Sequence, residues 1–568
     1  MMKQKGLLFL TLFALIFPQI SYSFDSKSLA ETRYWQKLLH ARDGKSEIDS
    51  PNFFLSPIGK EDPKAELEAT VQAIKYDDSV FCRFPARVKW LYQKIPSLSE
   101  EVPYQPCLEL ETLIADYQAT KAVLVFPTAH INSPASMFGH TFLRLDDNSG
   151  RALTANAINY AAETQETSGF LFAYHGLFGG YDGRYSVLPY YKKIKEYNHL
   201  ERRDIWEYTL NLNEEELTRL LTHLYELREV SADYFFATEN CSYNLLWLLD
   251  VAREGSDLTS RFNFKAIPVD TIREVSDAGF IAEANFRPSK SKEIKALVDA
   301  EKLATGALKQ AYQAEIEVDV LQFQRSRNEI DKDDYIKLLM EKLTARSKLP
   351  TLPDLSIEIP ADPLTSHKTT RFRVGLNSDE ELELGIKPAF HDIYDLETGY
   401  VSGAYIDFFD LNIVHKKNKG FEVKEFNFLN INSYAIRDEV VSPISWGISL
   451  GADQFRGKLN AKLNGEVGVT YGLHKGAFAF AVLKPAIYYS NNWVVGLGPK
   501  VGLIADFVKI KFGVNAEKLY FNQGEDNIKA ELFSTFSVSE NSAIHLKANV
   551  ETQKQGREYN QFGLSWFF

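Results

Sequence analysis

Two short strings in this chain carry residues able to do covalent chemistry. SPASMFGHTFLRLDD sets His140 at the opening of a strand-like segment, and TENCSYNLLWLLD sets Cys241 at the start of a helix-like one. A cysteine there sits at the positive end of a helix dipole, which favours thiolate over thiol, and a neighbouring imidazolium acts in the same direction. A histidine on a rigid strand beside that helix can take the thiol proton and later hand one to a leaving group. Backbone N–H groups at the same helix start can hold a developing oxyanion. Types and order thus point to acyl chemistry with Cys241 as nucleophile and His140 as base; a buried inert cysteine is the bland alternative.

The remaining cysteines frame that reading. Cys82 and Cys107 lie close together in the N-terminal segment and are the natural disulfide pair, which leaves Cys241 as the free thiol. The N-terminus MMKQKGLLFLTLFALIFPQISYSFDS sets the compartment. Lys3 and Lys5 precede a short apolar run from Gly6 to Ile20, and Ser21 and Ser23 are small residues at a cleavage site, so residues 1–23 read as a signal peptide and Phe24 as the mature start. Beyond it no apolar run approaches the roughly 20 residues a membrane helix needs, so any membrane integration must come from strands. The net charge of -12 argues against nucleic acid as a partner. No metal-ligand cluster, phosphate-binding glycine loop or catalytic carboxylate pair is visible, and no cofactor is expected.

The elements that must position His140 and Cys241 fall in residues 121–255. AVLVF, HTFLRLDD, RALTANAINYAA and DIWEYTLNL read as strands; Asn213 caps the helix EEELTRLLTHLYELREV, and a second helix runs roughly from Cys241 to Ala252. The fold expected there is α+β. The Gly- and aromatic-rich stretch 168–191 reads either as a flap or as an apolar hairpin. Residues 24–120 look helical and loop-rich, with Pro51, Pro57 and Pro63 as breaks, and 256–365 are helical before a linker marked by Pro350, Pro353, Pro360 and Pro363. From 370 to 568 the period becomes two: Val508, Ile510, Phe512 and Val514 alternate with Lys509, Lys511, Gly513 and Asn515, and turns such as NSDE, KNKG and NQGEDN separate the segments. About twelve strands of this kind are the sequence form of a transmembrane antiparallel β-barrel. The last strand ends on Phe562, Leu564, Trp566 and Phe568, and an even strand number puts both barrel ends on the periplasmic side.

The order of a histidine strand followed by an Asn-Cys helix start resembles permuted papain-like enzymes of the lecithin:retinol acyltransferase-like and NlpC types. More closely, SPASMFGHTFLRL, ERRDIWEY, ENCSYNLLWLL and the upstream CRFPARVKWL resemble the Lnb N-terminal periplasmic domain family, named from a lipoprotein N-acyltransferase, over roughly residues 70–270. The resemblance implies a fatty-acyl chain carried from a membrane phospholipid through a Cys241 thioester to the N-terminal amine of a diacylated lipoprotein. It also implies a third polar residue on the strand after His140, where Asn159 is preferred to Asn156 because Ile158 and Tyr160 face the other way. Ser136, Asn240, Tyr243 and Trp247 flank the two motifs as candidate substrate contacts. A cysteine peptidase or amidase acting on peptidoglycan, and a non-catalytic module carried on a barrel, are the competing expectations.

Overall fold

In the computed structural model the chain is described over residues 25–129, 138–164, 166, 169–326, 329–417, 419–552 and 558–568. The expected signal peptide therefore lies outside the described residues.

A seven-stranded antiparallel sheet organises the N-terminal half. Its order is Ser231–Asp233, Asp182–Pro189, Asn156–Ala162, Phe142–Asp146, Lys121–Pro127, Ile205–Leu210, Ile281–Arg287. The central strands are apolar on both faces: Val123 and Val125 meet Phe142, Tyr190 and Ile205 on one side, while Leu124, Leu143 and Ile158 enter a larger core on the other. Burial on both faces is why these segments read as continuous apolar runs rather than alternating ones. The helix Cys241–Ala252 lies in that larger core with all its residues buried. A helix apolar all round belongs inside a fold rather than at its surface.

The segment 24–120, read from sequence as a separate helical region, shares this core. Trp35, Leu67, Val71, Phe81, Val88 and Leu91 pack with Tyr243, Leu246 and Trp247. It holds a fully buried ion pair, Arg87 to Glu66 at 2.8 Å, and Glu66 also accepts N–H bonds from Leu55 and Ser56. Residues 256–365 likewise contribute a strand, Ile281–Arg287, paired to Ile205–Leu210, so this sheet reaches beyond the expected boundary at 255. In the stretch read as a flap or an apolar hairpin, the described residues form a helix, Gly169–Phe178, followed by the strand Asp182–Pro189, rather than a hairpin.

From Arg371 the chain forms a closed antiparallel barrel. Short segments Ala389–His391 and Ile436–Arg437 attach to it, and the other twelve strands make the ring. Arg371–Asn377 pairs with the last strand, Glu558–Phe567, and Leu382–Lys387 pairs with Ala404–Lys416 to complete closure. The dyad pattern is realised in three dimensions: Phe512 and Val514 are exposed on the outer wall while Lys511 is buried inside. Outward apolar and inward charged positions are what a barrel in lipid requires, because closure satisfies every backbone group. Inside, lysines and glutamates pair between strands two apart in the ring, as in Lys462–Glu425, Lys500–Glu466 and Lys484–Glu517 at 2.7, 2.8 and 2.7 Å. Residues 392–403 fold back into this lumen. Tyr394 Oη donates to Glu531 at 2.9 Å, Thr535 donates to the Tyr394 carbonyl at 2.7 Å, and Lys511 donates to the Asp395 carbonyl at 2.8 Å.

The two halves meet at the barrel end that carries both of its termini. Phe138, Ile267 and Val269 pack with Ala389, Phe390, Ile406 and Ile431 of the barrel, with the Phe138 and Phe390 rings 5.3 Å apart. Arg273 donates to the carbonyls of Ser366 and His367, both at 2.9 Å.

Candidate active site

The candidate site is built where the helix that opens with Cys241 meets the sheet. Asn240 caps that helix: its Oδ1 accepts from the N–H groups of Ser242 at 3.1 Å and Tyr243 at 3.3 Å. Its Nδ2 donates to the carbonyls of Phe236 and Ala266 at 2.9 and 2.6 Å. Both ends of one carboxamide are thus used to fix the turn that presents Cys241. Thr141, the residue after His140, brings its N–H and hydroxyl against the Cys241 thiol, so the two sequence motifs meet. His140 Nε2 donates to Asn159 Oδ1 at 2.9 Å. That bond fixes the tautomer in which Nδ1 is unprotonated, the form a base needs.

Electrostatics set the resting state. Cys241, His140 and Asn159 are 2, 6 and 3 % exposed. Burial pushes the Cys241 thiol up, against bonds from Thr141, Tyr234 and Ser242 that pull it down. Burial, with the nearby Lys193 and Arg203 cations, pushes His140 down to about 3, and the Asn159 bond only partly offsets this. Desolvation of two charges outweighs the helix dipole here, so the pair rests as thiol and neutral imidazole rather than as the ion pair expected from sequence.

The expected cradle of backbone N–H groups is largely taken by Asn240. The Cys241 N–H instead donates to Tyr234 Oη at 3.2 Å, and the Tyr234 hydroxyl also bonds with the Cys241 side chain. Tyr234 is held by its N–H bond to the Tyr181 carbonyl at 2.9 Å and by stacking on Tyr160 at 5.9 Å. Around the pair stand Phe142 and Tyr197, whose ring centre is 5.4 Å from that of His140. The helix Gly169–Phe178 packs on the segment that leads to the Asn240 cap, its Gly176 carbonyl accepting from Phe236 N–H at 2.7 Å. A Cβ at Gly176 would fall 2.3 Å from the Phe236 ring, so glycine permits this close approach.

Other residues singled out in the sequence fall elsewhere. Cys82 and Cys107 form a disulfide, and Cys241 is the free cysteine. Asn156 sits at the start of the strand, opposite Leu145 and Pro189, apart from the histidine. Ser136 lies outside the described residues. Tyr243 and Trp247, expected as substrate contacts, point into the core instead: Tyr243 Oη and Trp247 Nε1 donate to Glu47 at 2.9 and 3.0 Å, and Trp247 stacks on His40. Helical spacing turns them away from the sulfur. Although the sequence shows no metal cluster, the fold gathers His367, His391 and Asp395 at the root of the barrel. Asp395 is there already paired with Arg371 at 2.6 Å and with Lys387, so cations of the chain itself occupy its carboxylate.

Comparison with known proteins agrees with this division. Residues 109–278 match the family described as the Lnb N-terminal periplasmic domain, and residues 360–568 and 27–94 match two domains of unknown function, DUF7840 and DUF7843. No curated protein matches the chain. Among solved structures it is similar to the KdgM porin in complex with disordered oligogalacturonate (8% identity, 35% of this chain and 99% of that one, TM-score 0.24). LpxR from Salmonella typhimurium is also similar, at 12% identity, 35% and 100% coverage and a TM-score of 0.23. Over residues 109–278 the chain is thus similar to the Lnb N-terminal periplasmic domain family, and it continues into a closed twelve-stranded antiparallel β-barrel.

Proposed function

We propose that this protein is a cysteine-dependent acyltransferase that moves a fatty-acyl chain from a membrane phospholipid, through a Cys241 thioester, to the N-terminal amine of diacylated lipoproteins. The observation that carries the reading is a buried free thiol, Cys241, bonded by Thr141, the residue next in sequence to the Asn159-held His140, and the seating of this domain against the barrel supports a lipid donor. His140 Nδ1 takes the thiol proton as Sγ attacks the ester carbonyl. The ester C–O bond then breaks, and His140 returns that proton to the lyso-lipid oxygen. In the second half, a neutral amine attacks the thioester, its surplus proton passes to His140, and the C–S bond breaks to release the amide. The departing thiolate then recovers the proton from His140. The Tyr234 hydroxyl, held in place by the Cys241 N–H that donates to it, is the group at hand for the oxyanion.

Aromatic cover from Phe142, Tyr197 and Phe236 supports transfer over hydrolysis, because water competes with the amine for any thioester. The acceptor would be met at the outer membrane, after lipoprotein transport. The test is mass spectrometry of lipoprotein N-termini from cells relying on this protein, with wild type beside Cys241→Ala. N-acylated termini should vanish in the variant at unchanged protein level. Unchanged termini with altered peptidoglycan fragments would replace the reading with a hydrolase of the same fold.

A further inference from the structure

Two large apolar side chains of the periplasmic half stand almost wholly in solvent: Phe264 is 92 % exposed and Leu303 88 %. A single exposed apolar residue is ordinary. These two are distinguished by where they are pinned. Lys265, next to Phe264, donates to Thr369 Oγ1, and Thr370 exchanges backbone bonds with Phe568 at the end of the last strand. Lys302, next to Leu303, pairs with Glu439 at 2.7 Å in the connection between strands Gly420–Ser433 and Ser445–Phe455. The two anchor points flank the arc of strands on which Phe138, Ile267 and Val269 are seated. At this barrel end the outer wall is itself apolar and exposed, with Phe568, Ile444 and Val508 at 62, 62 and 76 %.

We propose that Phe264 and Leu303 insert into the periplasmic leaflet of the membrane that holds the barrel, one on each flank of the docked arc, and that this lipid contact governs access to Cys241. The occupant is a lipid surface because both residues are apolar, exposed and tied to the barrel end whose own exposed residues Phe568, Ile444 and Val508 are apolar. Arg261, three residues from Phe264 and 72 % exposed beside its partner Glu274, is a cation on the same loop that can meet headgroup phosphates. The loop bearing Phe264 is tied to the nucleophile's own turn: Ala266 N–H donates to the Ala237 carbonyl at 2.7 Å, and Asn240 Nδ2 donates to the Ala266 carbonyl at 2.6 Å. Insertion of Phe264 therefore acts on residues 237–240, which hold the closed site. This second step rests on the phospholipid-donor reading given above.

Docking and access are tested separately on the full chain reconstituted in phosphatidylethanolamine–phosphatidylglycerol vesicles. Phe264→Trp and Leu303→Trp should each add a blue-shifted emission component, over the wild-type background, that is quenched when the acyl chains are brominated. Water-like, unquenched emission at both positions overturns the docking and leaves the surface to a protein partner. Phe264→Asp should lower acyl transfer from vesicle phospholipid by about tenfold while leaving turnover of a water-soluble short-chain acyl ester unchanged. Equal loss with both donors, or loss with neither, overturns the coupling. If the wild type turns over neither donor, the acyltransferase reading and the coupling fall together, and quenching alone decides the docking.

Discussion

Asn159→Ala probes the centre of the proposed chemistry. The substitution removes the acceptor 2.9 Å from His140 Nε2 and leaves a buried N–H without a partner. Such a loss costs about 1–3 kcal/mol in stability. When His140 holds the proton in the transition state the lost bond is charge-assisted, worth about 1.5–3 kcal/mol, which translates to roughly 10- to 150-fold in rate. The assay is single-turnover formation of the Cys241 acyl-enzyme, followed by intact mass, with thermal unfolding in parallel to separate rate from fold. Asn159→Asp restores an acceptor and adds a negative charge that raises the imidazole, so it should recover much of the rate. A rate for Asn159→Ala within about twofold of wild type, in a folded protein, would refute the positioning role.

Four further outcomes follow from the same geometry. Alkylation of Cys241 should be slow near neutral pH and climb as pH rises past about 9, because burial raises the thiol and keeps His140 uncharged; a rate flat from about pH 5 to 8 would instead mean a standing ion pair. Gly176→Ala forces the Phe236 ring away from the helix Gly169–Phe178, so it should speed that alkylation; an unchanged rate would mean the helix does not control entry. Reducing Cys82–Cys107, which are separated by 25 residues, should lower the stability of the periplasmic half by about 3.5 kcal/mol on the loop-entropy estimate, read as a shift in tryptophan-monitored urea unfolding. Glu66→Ala strands the Arg87 cation at zero exposure and should cost about 3–5 kcal/mol in the same unfolding measurement.

Some of this architecture is legible in the residues because its physics is local. The alternation of Phe512 and Val514 with Lys511 needs only a wall between lipid and an ion-paired interior, and period two announces it. The chain order of His140, Asn159 and Cys241 is readable because one strand and its neighbour hold the first two. What the sequence hides depends on contacts distant along the chain. Tyr234 matters only because its ring is stacked on Tyr160, which sets its hydroxyl against the Cys241 N–H. Nearness in sequence to the nucleophile points Tyr243 and Trp247 toward the site, whereas Glu47 and His40 draw them into the core. Strand Ile281–Arg287 is hard to read because the exposed Glu283 and Asn285 dilute its pattern at the sheet edge. The inward fold of residues 392–403 has no signature of its own, since its anchors Glu531, Thr535 and Lys511 lie on strands far along the chain.

The disulfide has a bearing on how the protein survives its own manufacture. An exported chain threads from its N-terminus, so Cys82 and Cys107 reach the oxidising compartment in succession and before Cys241. Neighbours in order of arrival can be joined by a simple oxidase without later reshuffling. Once folded, Cys241 is both hidden and poorly ionised, and thiol exchange requires an accessible thiolate. The burial that keeps Cys241 poorly ionised also shields it from oxidation, so the finished protein can keep a free thiol without a dedicated reductase.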